Sequence, residues 1–239
     1  MDQDLTNKRI LLLHGLTSSP RVFDKLVNNL ESHGCSCFAP ALAGHGSSQL
    51  NSQEVSFLNF ISELDQYVNH LTDRGRYEIQ VVGISFGALL ALRALKESSK
   101  LINKLVLISP PIEFRNFGTR LVMPLLGYIP ESIARHLGSI AKTRVSSGDY
   151  DPSSSYSINT LAIMSKLRRE VLNQKIEFAN PSLLIQSSYD HHVNPYSLYY
   201  LKNEVLGDQA KIVLRDWGKS HNILDSEDAI SIISNFIVG

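Results

Sequence analysis

The chain has 239 residues, 43% of them hydrophobic and 19% charged. That length suits one large domain or two small ones, and it can bury a sizeable core without staples. The 23 basic and 23 acidic side chains give a formal net charge of zero, which excludes attraction of a polyanion by bulk charge, so no nucleic-acid partner is expected.

The first residues, MDQDLTNKRI, are polar and hold no apolar run of signal-peptide length. No segment reaches the roughly 18 apolar residues of a membrane span. The expectation is a cytoplasmic chain without membrane insertion. Arg9–His14 (RILLLH) is a short apolar run and reads as a buried strand. Val22–Ser32 sets Val22, Phe23, Leu26, Val27 and Leu30 at helical spacing. Cys35–Ala39 is a second short strand. Its two cysteines lie two apart, which is awkward for a mutual disulfide, and no metal-type spacing with histidine follows. They read as small buried thiols.

Phe57–Leu71 is amphipathic, with Phe57, Phe60, Ile61, Leu64, Val68 and Leu71 on one stripe. Ile79–Ile84 reads as a strand, Phe86–Glu97 as a helix and Lys104–Ser109 as a strand. Leu183–Ser187 is the next strand, with a helix around Pro195–Val205. Lys211–Asp216 is the last strand and Ser226–Val238 the last helix. The alternation predicts an α/β fold: a mostly parallel, twisted sheet with helices on both faces. The strands are continuously apolar, as strands buried on both faces should be.

Residues 110–180 break the rhythm. They contain helical patterns at about Arg120–Leu126, Glu131–Ala141 and Ser157–Gln174, interrupted by Pro124, Pro130 and the polar stretch Ser146–Ser155. The segment is longer than an ordinary crossover. It reads as a small helical cap inserted into a core of residues 1–109 and 181–239. Its basic cluster, Lys166-Leu167-Arg168-Arg169, reads as a solvated helix face. Its apolar residues Phe114, Phe117, Leu121, Val122, Met123, Leu125, Leu126, Tyr128 and Ile129 either line an acyl pocket or pack the cap onto the sheet, and both readings stay open.

The chemistry concentrates at Gly83-Ile84-Ser85-Phe86-Gly87. A strand, then Gly-x-Ser-x-Gly, then a helix describes a nucleophile elbow. The serine sits in a strained turn, and the two glycines let the chain pass close to its neighbours. The helix that begins at Phe86 aims free N–H groups at the site. A serine hydroxyl needs a base, and the base an orienting acid. The elbow arrangement orders these as serine, acid, histidine. Asp190 follows the strand Leu183–Ser187, and His221 follows the strand Lys211–Asp216. In a parallel sheet these loops gather at one edge. Glu113, after the strand Lys104–Ser109, is the alternative acid. His191 and His192 read as loop surface. The backbone N–H groups of Phe86 and Leu16 are the expected oxyanion donors. His14 reads as structural.

With these residues in place, the chain resembles the α/β-hydrolase superfamily over nearly its whole length. LLLHGLTSSP, the GHGSS of Gly44–Ser48, GISFG, LLIQSSYDHHVNP and GKSHNI look like small bacterial carboxylesterases and monoacylglycerol lipases. The resemblance implies a triad of Ser85, Asp190 and His221, oxyanion donors at Leu16 and Phe86, and no metal or cofactor. It implies a small-molecule acyl ester of short to medium chain as substrate, monoacylglycerols among the candidates. The chain departs from the family pattern at Ser187, where glycine is often found. A thioesterase or acyl transferase with the same triad is the nearest rival. A non-catalytic ligand-binding protein on this scaffold is the more distant one.

Overall fold

The computed structural model describes residues 8–45, 54–140, 157–173, 176, 178–218 and 220–239, with only the backbone at 138–140. The stretch Ser146–Ser155 and the last residues of the GHGSS motif lie outside the described residues. Among the described residues six strands form one sheet: β1 (Arg9–Leu13), β2 (Ser36–Phe38), β3 (Ile79–Ile84), β4 (Ile102–Ile108), β5 (Ser182–Ser187) and β6 (Ala210–Arg215). Their order is β2-β1-β3-β4-β5-β6, and every pairing is parallel. The order reverses direction between β1 and β3. That is where an open α/β sheet leaves a crevice at its carboxyl edge.

Helices cover both faces. Side chains alternate along each strand, so Ile10, Leu12, Val82 and Val106 face α1 (Asp24–Ser32) and α8 (Glu227–Val238) in one core. Leu11, Leu13, Val81, Leu105 and Leu107 face the other core, with α2 (Phe57–Leu71), α3 (Phe86–Ser98) and α7 (Tyr196–Tyr200). The start of α2 is set locally. Ser56 Oγ accepts from the Asn59 N–H, and the Asn59 side chain accepts from the Ser56 N–H. Two predicted helices differ in detail. A 3-10 turn at Pro20–Phe23 precedes α1, since Pro20 has a fixed φ and no N–H and suits the first position of such a turn. The helix predicted to Val205 changes after α7 into a π-helical stretch, Leu201–Leu206, that ends at Gly207 with φ 72°.

Between β4 and β5 come α4 (Phe117–Leu126), α5 (Glu131–Ile140) and α6 (Ile158–Leu172). α6 packs on α3 and carries α4 and α5. The Ser165 hydroxyl donates to the Met123 carbonyl and ties α6 to α4. Gly127 lets the two approach, because a Cβ there would lie 2.9 Å from Ser165 Oγ. The basic cluster is not the solvated face that its composition suggests. Arg168 is partly buried, donates to the Ile112 carbonyl at 2.6 Å and lies 3.7 Å from the Glu113 carboxylate. Lys166 sits over the Phe57 ring and Arg169 over the Tyr128 ring. Their aliphatic stems cover apolar surface while their charges find acids and ring faces.

Candidate active site

The site lies at the carboxyl edge of the sheet, beside the switch between β1 and β3. At the end of β3 the chain turns at Ser85 with φ 53° and ψ −117°. This is a left-handed conformation that a non-glycine residue adopts only under constraint. The Ser85 N–H still donates to the Ile108 carbonyl at 2.9 Å, so the sheet holds the corner. The glycines are required by contact rather than by flexibility. A Cβ on Gly83 would overlap the Gly87 carbonyl, and one on Gly87 would overlap the Leu13 carbonyl. α3 therefore lies against the end of β1, and the first N–H groups of α3, at Phe86, have no intrahelical acceptor.

The loop after β1 is held by two histidines. His14 is fully buried. Its Nδ1–H donates to the Gly15 carbonyl at 2.8 Å, and its Nε2 accepts from the Leu42 N–H at 3.1 Å. Those two bonds select the neutral tautomer. Burial, with the nearby His45, pushes its pKa down to about 4 against the Gly15 bond. Because the Gly15–Leu16 peptide is planar and trans, fixing its carbonyl on His14 turns the Leu16 N–H the other way. His45 contacts the Leu16 and Ala43 carbonyls with its two ring nitrogens. His14 is thus structural, as expected, while the part played by His45 was not foreseen from the sequence. The GHG string around His45 was its only sequence signal.

Asp190 is fully buried beyond β5. Its Oδ2 lies 2.7 Å from His221 Nδ1. Its Oδ1 accepts from the His192 and Val193 N–H groups at 2.8 and 3.0 Å. Burial alone would raise its pKa. The bond and charge of His221, with those two backbone donors, outweigh burial and hold the carboxyl below its ordinary value. Glu113 is not placed for this role. Its carboxylate lies 3.6 Å from Arg120 and 3.7 Å from Arg168, tying the β4 loop to α4 and α6.

Ser85, His221 and Leu16 line one cavity of about 480 Å³. Its walls include Val122, Met123 and Leu126 of α4 and Leu161 and Met164 of α6. Of the apolar residues left open by the sequence, Phe114, Val122, Met123 and Leu126 line the cavity. Phe117, Leu121, Leu125 and Tyr128 are exposed and do not line it, while Val122 both lines it and is exposed. Besides Ser85 and His221, the polar lining includes Asn116, Thr119, His191 and His192. The two histidines are exposed loop residues and also part of the cavity, and the His192 ring meets the His221 ring edge-on at 5.4 Å. No Asp or Glu is among the described residues that line the cavity. Among the described residues, no cluster of His, Cys, Asp and Glu has the make-up of a metal site. No described helix is long and apolar enough to cross a membrane.

Comparison with known proteins agrees with this architecture. The carboxylesterase of Bacillus subtilis (strain 168) is 22% identical over 213 residues, covering 86% of this chain and 81% of that protein. The solved structure of Paleococcus ferrophilus monoacylglycerol lipase superposes with a TM-score of 0.74 at 17% identity, over 96% of this chain and 93% of that one. A soluble variant of monoglyceride lipase from Saccharomyces cerevisiae, solved with a substrate analog, gives 0.74 at 12% identity over 99% and 87%. These superpositions carry the fold. The family model described as serine aminopeptidase, S33 matches residues 5–225. The chain therefore belongs to the serine aminopeptidase S33 family of hydrolases and has the α/β-hydrolase fold.

Proposed function

We propose that the chain is a serine hydrolase of carboxylic esters, acting on short- to medium-chain acyl esters, with monoacylglycerols in that class. One observation carries the reading. A strained serine at a strand-to-helix elbow and a histidine paired to a buried carboxylate open into the same largely apolar cavity. Ser85 Oγ attacks the ester carbonyl while His221 Nε2 takes its proton. Asp190 holds the Nδ1–H of His221 and stabilises the imidazolium. The N–H groups of Leu16 and Phe86 receive the oxyanion, each contributing roughly 3–4 kcal/mol to the transition state. Collapse of the tetrahedral intermediate expels the alcohol, which leaves with the proton from His221. Water then attacks the acyl-enzyme by the same steps and releases the acid and free Ser85.

The helical segment between β4 and β5 acts in this reading as a cap, its α4 and α6 forming the acyl wall. The family description names an aminopeptidase. A free α-ammonium asks for a carboxylate beside it, and none is found among the described residues that line the cavity, which favours an ester over an aminoacyl amide. The curated relative in Bacillus is a carboxylesterase, in line with this choice.

The test is hydrolysis of a p-nitrophenyl ester series from acetate to palmitate. Ser85→Ala lowers turnover by about a millionfold and Asp190→Asn by about ten thousandfold. Near-normal turnover by folded Ser85→Ala protein overturns the mechanism. A thioester series run alongside separates a thioesterase from an oxygen-ester hydrolase.

A further inference from the structure

Among the described residues of the loop that carries His221, between Arg215 and Glu227, there is no strand or helix, yet its histidine must stay within hydrogen-bond reach of Asp190. Two buried serines reach it from the ends of neighbouring strands. Ser109 follows β4, is fully buried and has φ 46°. Its N–H donates to the Ile185 carbonyl at 3.0 Å, and its Oγ donates to the carbonyl of His221 itself at 3.1 Å. Ser187 ends β5 and is also fully buried. Its Oγ donates to the Gly218 carbonyl at 2.5 Å and accepts from the Trp217 N–H at 3.3 Å and the Tyr189 N–H at 3.4 Å. A hydroxyl has one proton and two lone pairs, so Ser187 uses all of its capacity. One end of that network lies on the loop of Asp190 and the other on the loop of His221.

We propose that Ser109 and Ser187 are positioning residues that set His221 against Asp190. Ser187 couples the two loops to each other. Ser109 fixes the backbone of the histidine directly, and its left-handed conformation, costly for a serine, is what aims its hydroxyl across from β4. Neither touches the cavity; both act through His221. Glycine or alanine at 187 leaves the Gly218 carbonyl and the Trp217 N–H without this partner, so the loop is held by fewer fixed points. A displacement of about 1 Å at such a base costs on the order of a hundredfold in rate.

The proposal rests on the triad reading above, and the experiment separates the two. Wild type, Ser85→Ala, Ser109→Ala, Ser187→Ala and Ser187→Thr are compared on p-nitrophenyl butyrate, with thermal unfolding to establish that each is folded at the assay temperature. The low-field proton resonance of the His221–Asp190 hydrogen bond is recorded for each. We expect kcat to fall about ten- to a hundredfold in both serine-to-alanine variants, with KM within about twofold and the resonance broadened or shifted. Ser187→Thr keeps the hydroxyl, and its β-branch suits a strand, so it retains most of kcat. Should Ser187→Ala not fold, Ser187→Cys preserves the volume with only a weak donor and takes its place. Wild-type kcat in folded Ser109→Ala and Ser187→Ala overturns the proposal while leaving the triad intact. A lost kcat with an unchanged resonance also overturns it, because the effect then lies elsewhere. Turnover that survives Ser85→Ala overturns the triad reading, and this one with it.

Discussion

His14 shows how one buried side chain combines a structural bond with a pH dependence. The folded protein resists protonating it down to about 4. In the unfolded chain it takes a proton near the ordinary histidine value, about 6.5. Between those values the unfolded state holds more protons, so stability falls as pH falls. From pH 7 to pH 5 the loss is ~2 kcal/mol from this residue. Denaturant unfolding at the two pH values measures it. A His14→Gln protein should be less stable at both but show a smaller difference between them. An unchanged difference would remove His14 as its source. Asp190 works in the same direction at lower pH. Its carboxyl is held down by His221 and two backbone donors, so its contribution is present above about 4 and is lost as pH drops through its folded value.

At the scale of elements, the proposed function makes α4 and α6 the parts that decide which substrates fit. α4 turns Val122, Met123 and Leu126 to the cavity, and α6 adds Leu161 and Met164. Arg168 and Arg120 bind Glu113, which fastens both helices to the loop after β4. Met164→Trp puts a larger ring into that wall. The longest p-nitrophenyl ester accepted should shorten, while turnover of the acetate stays within about threefold, since the proposed oxyanion donors and the elbow are untouched. An unaltered chain-length profile would show that the acyl group lies elsewhere.

For the whole molecule, the sheet separates two cores with different duties. The core between the sheet, α1 and α8 contains Ile10, Leu12, Leu30, Ile230, Ile233 and Ile237, and none of these lines the cavity. The other core supports α3, whose first turn carries the elbow. Ile233→Ala, at a fully buried position, should cost about 2–5 kcal/mol of stability and leave KM for the butyrate ester unchanged. Unfolding and kinetics on the same sample test the separation; a large KM change would show that the rear core is coupled to the pocket.

By itself the sequence determined the α/β class, the run of parallel strands and the elbow. These depend on short-range facts: apolar runs of strand length, helical spacing in α2, and two glycines around Ser85 that no side chain could replace. It also ordered Asp190 and His221 after successive strands, and parallel topology sends such loops to one edge. What it left open depends on contacts between distant segments. Nothing in the composition of residues 166–169 distinguishes a solvated face from one that pairs with Glu113, Phe57 and Tyr128. No local pattern announces that Ser109 adopts a left-handed conformation and bonds His221, 112 residues away. Apolarity alone could not say which α4 residues line the cavity, because that is set by where α6 and the Asp190 loop pack. Tertiary structure decided these points, since a hydrogen bond or a buried face exists only when both partners arrive at the same place.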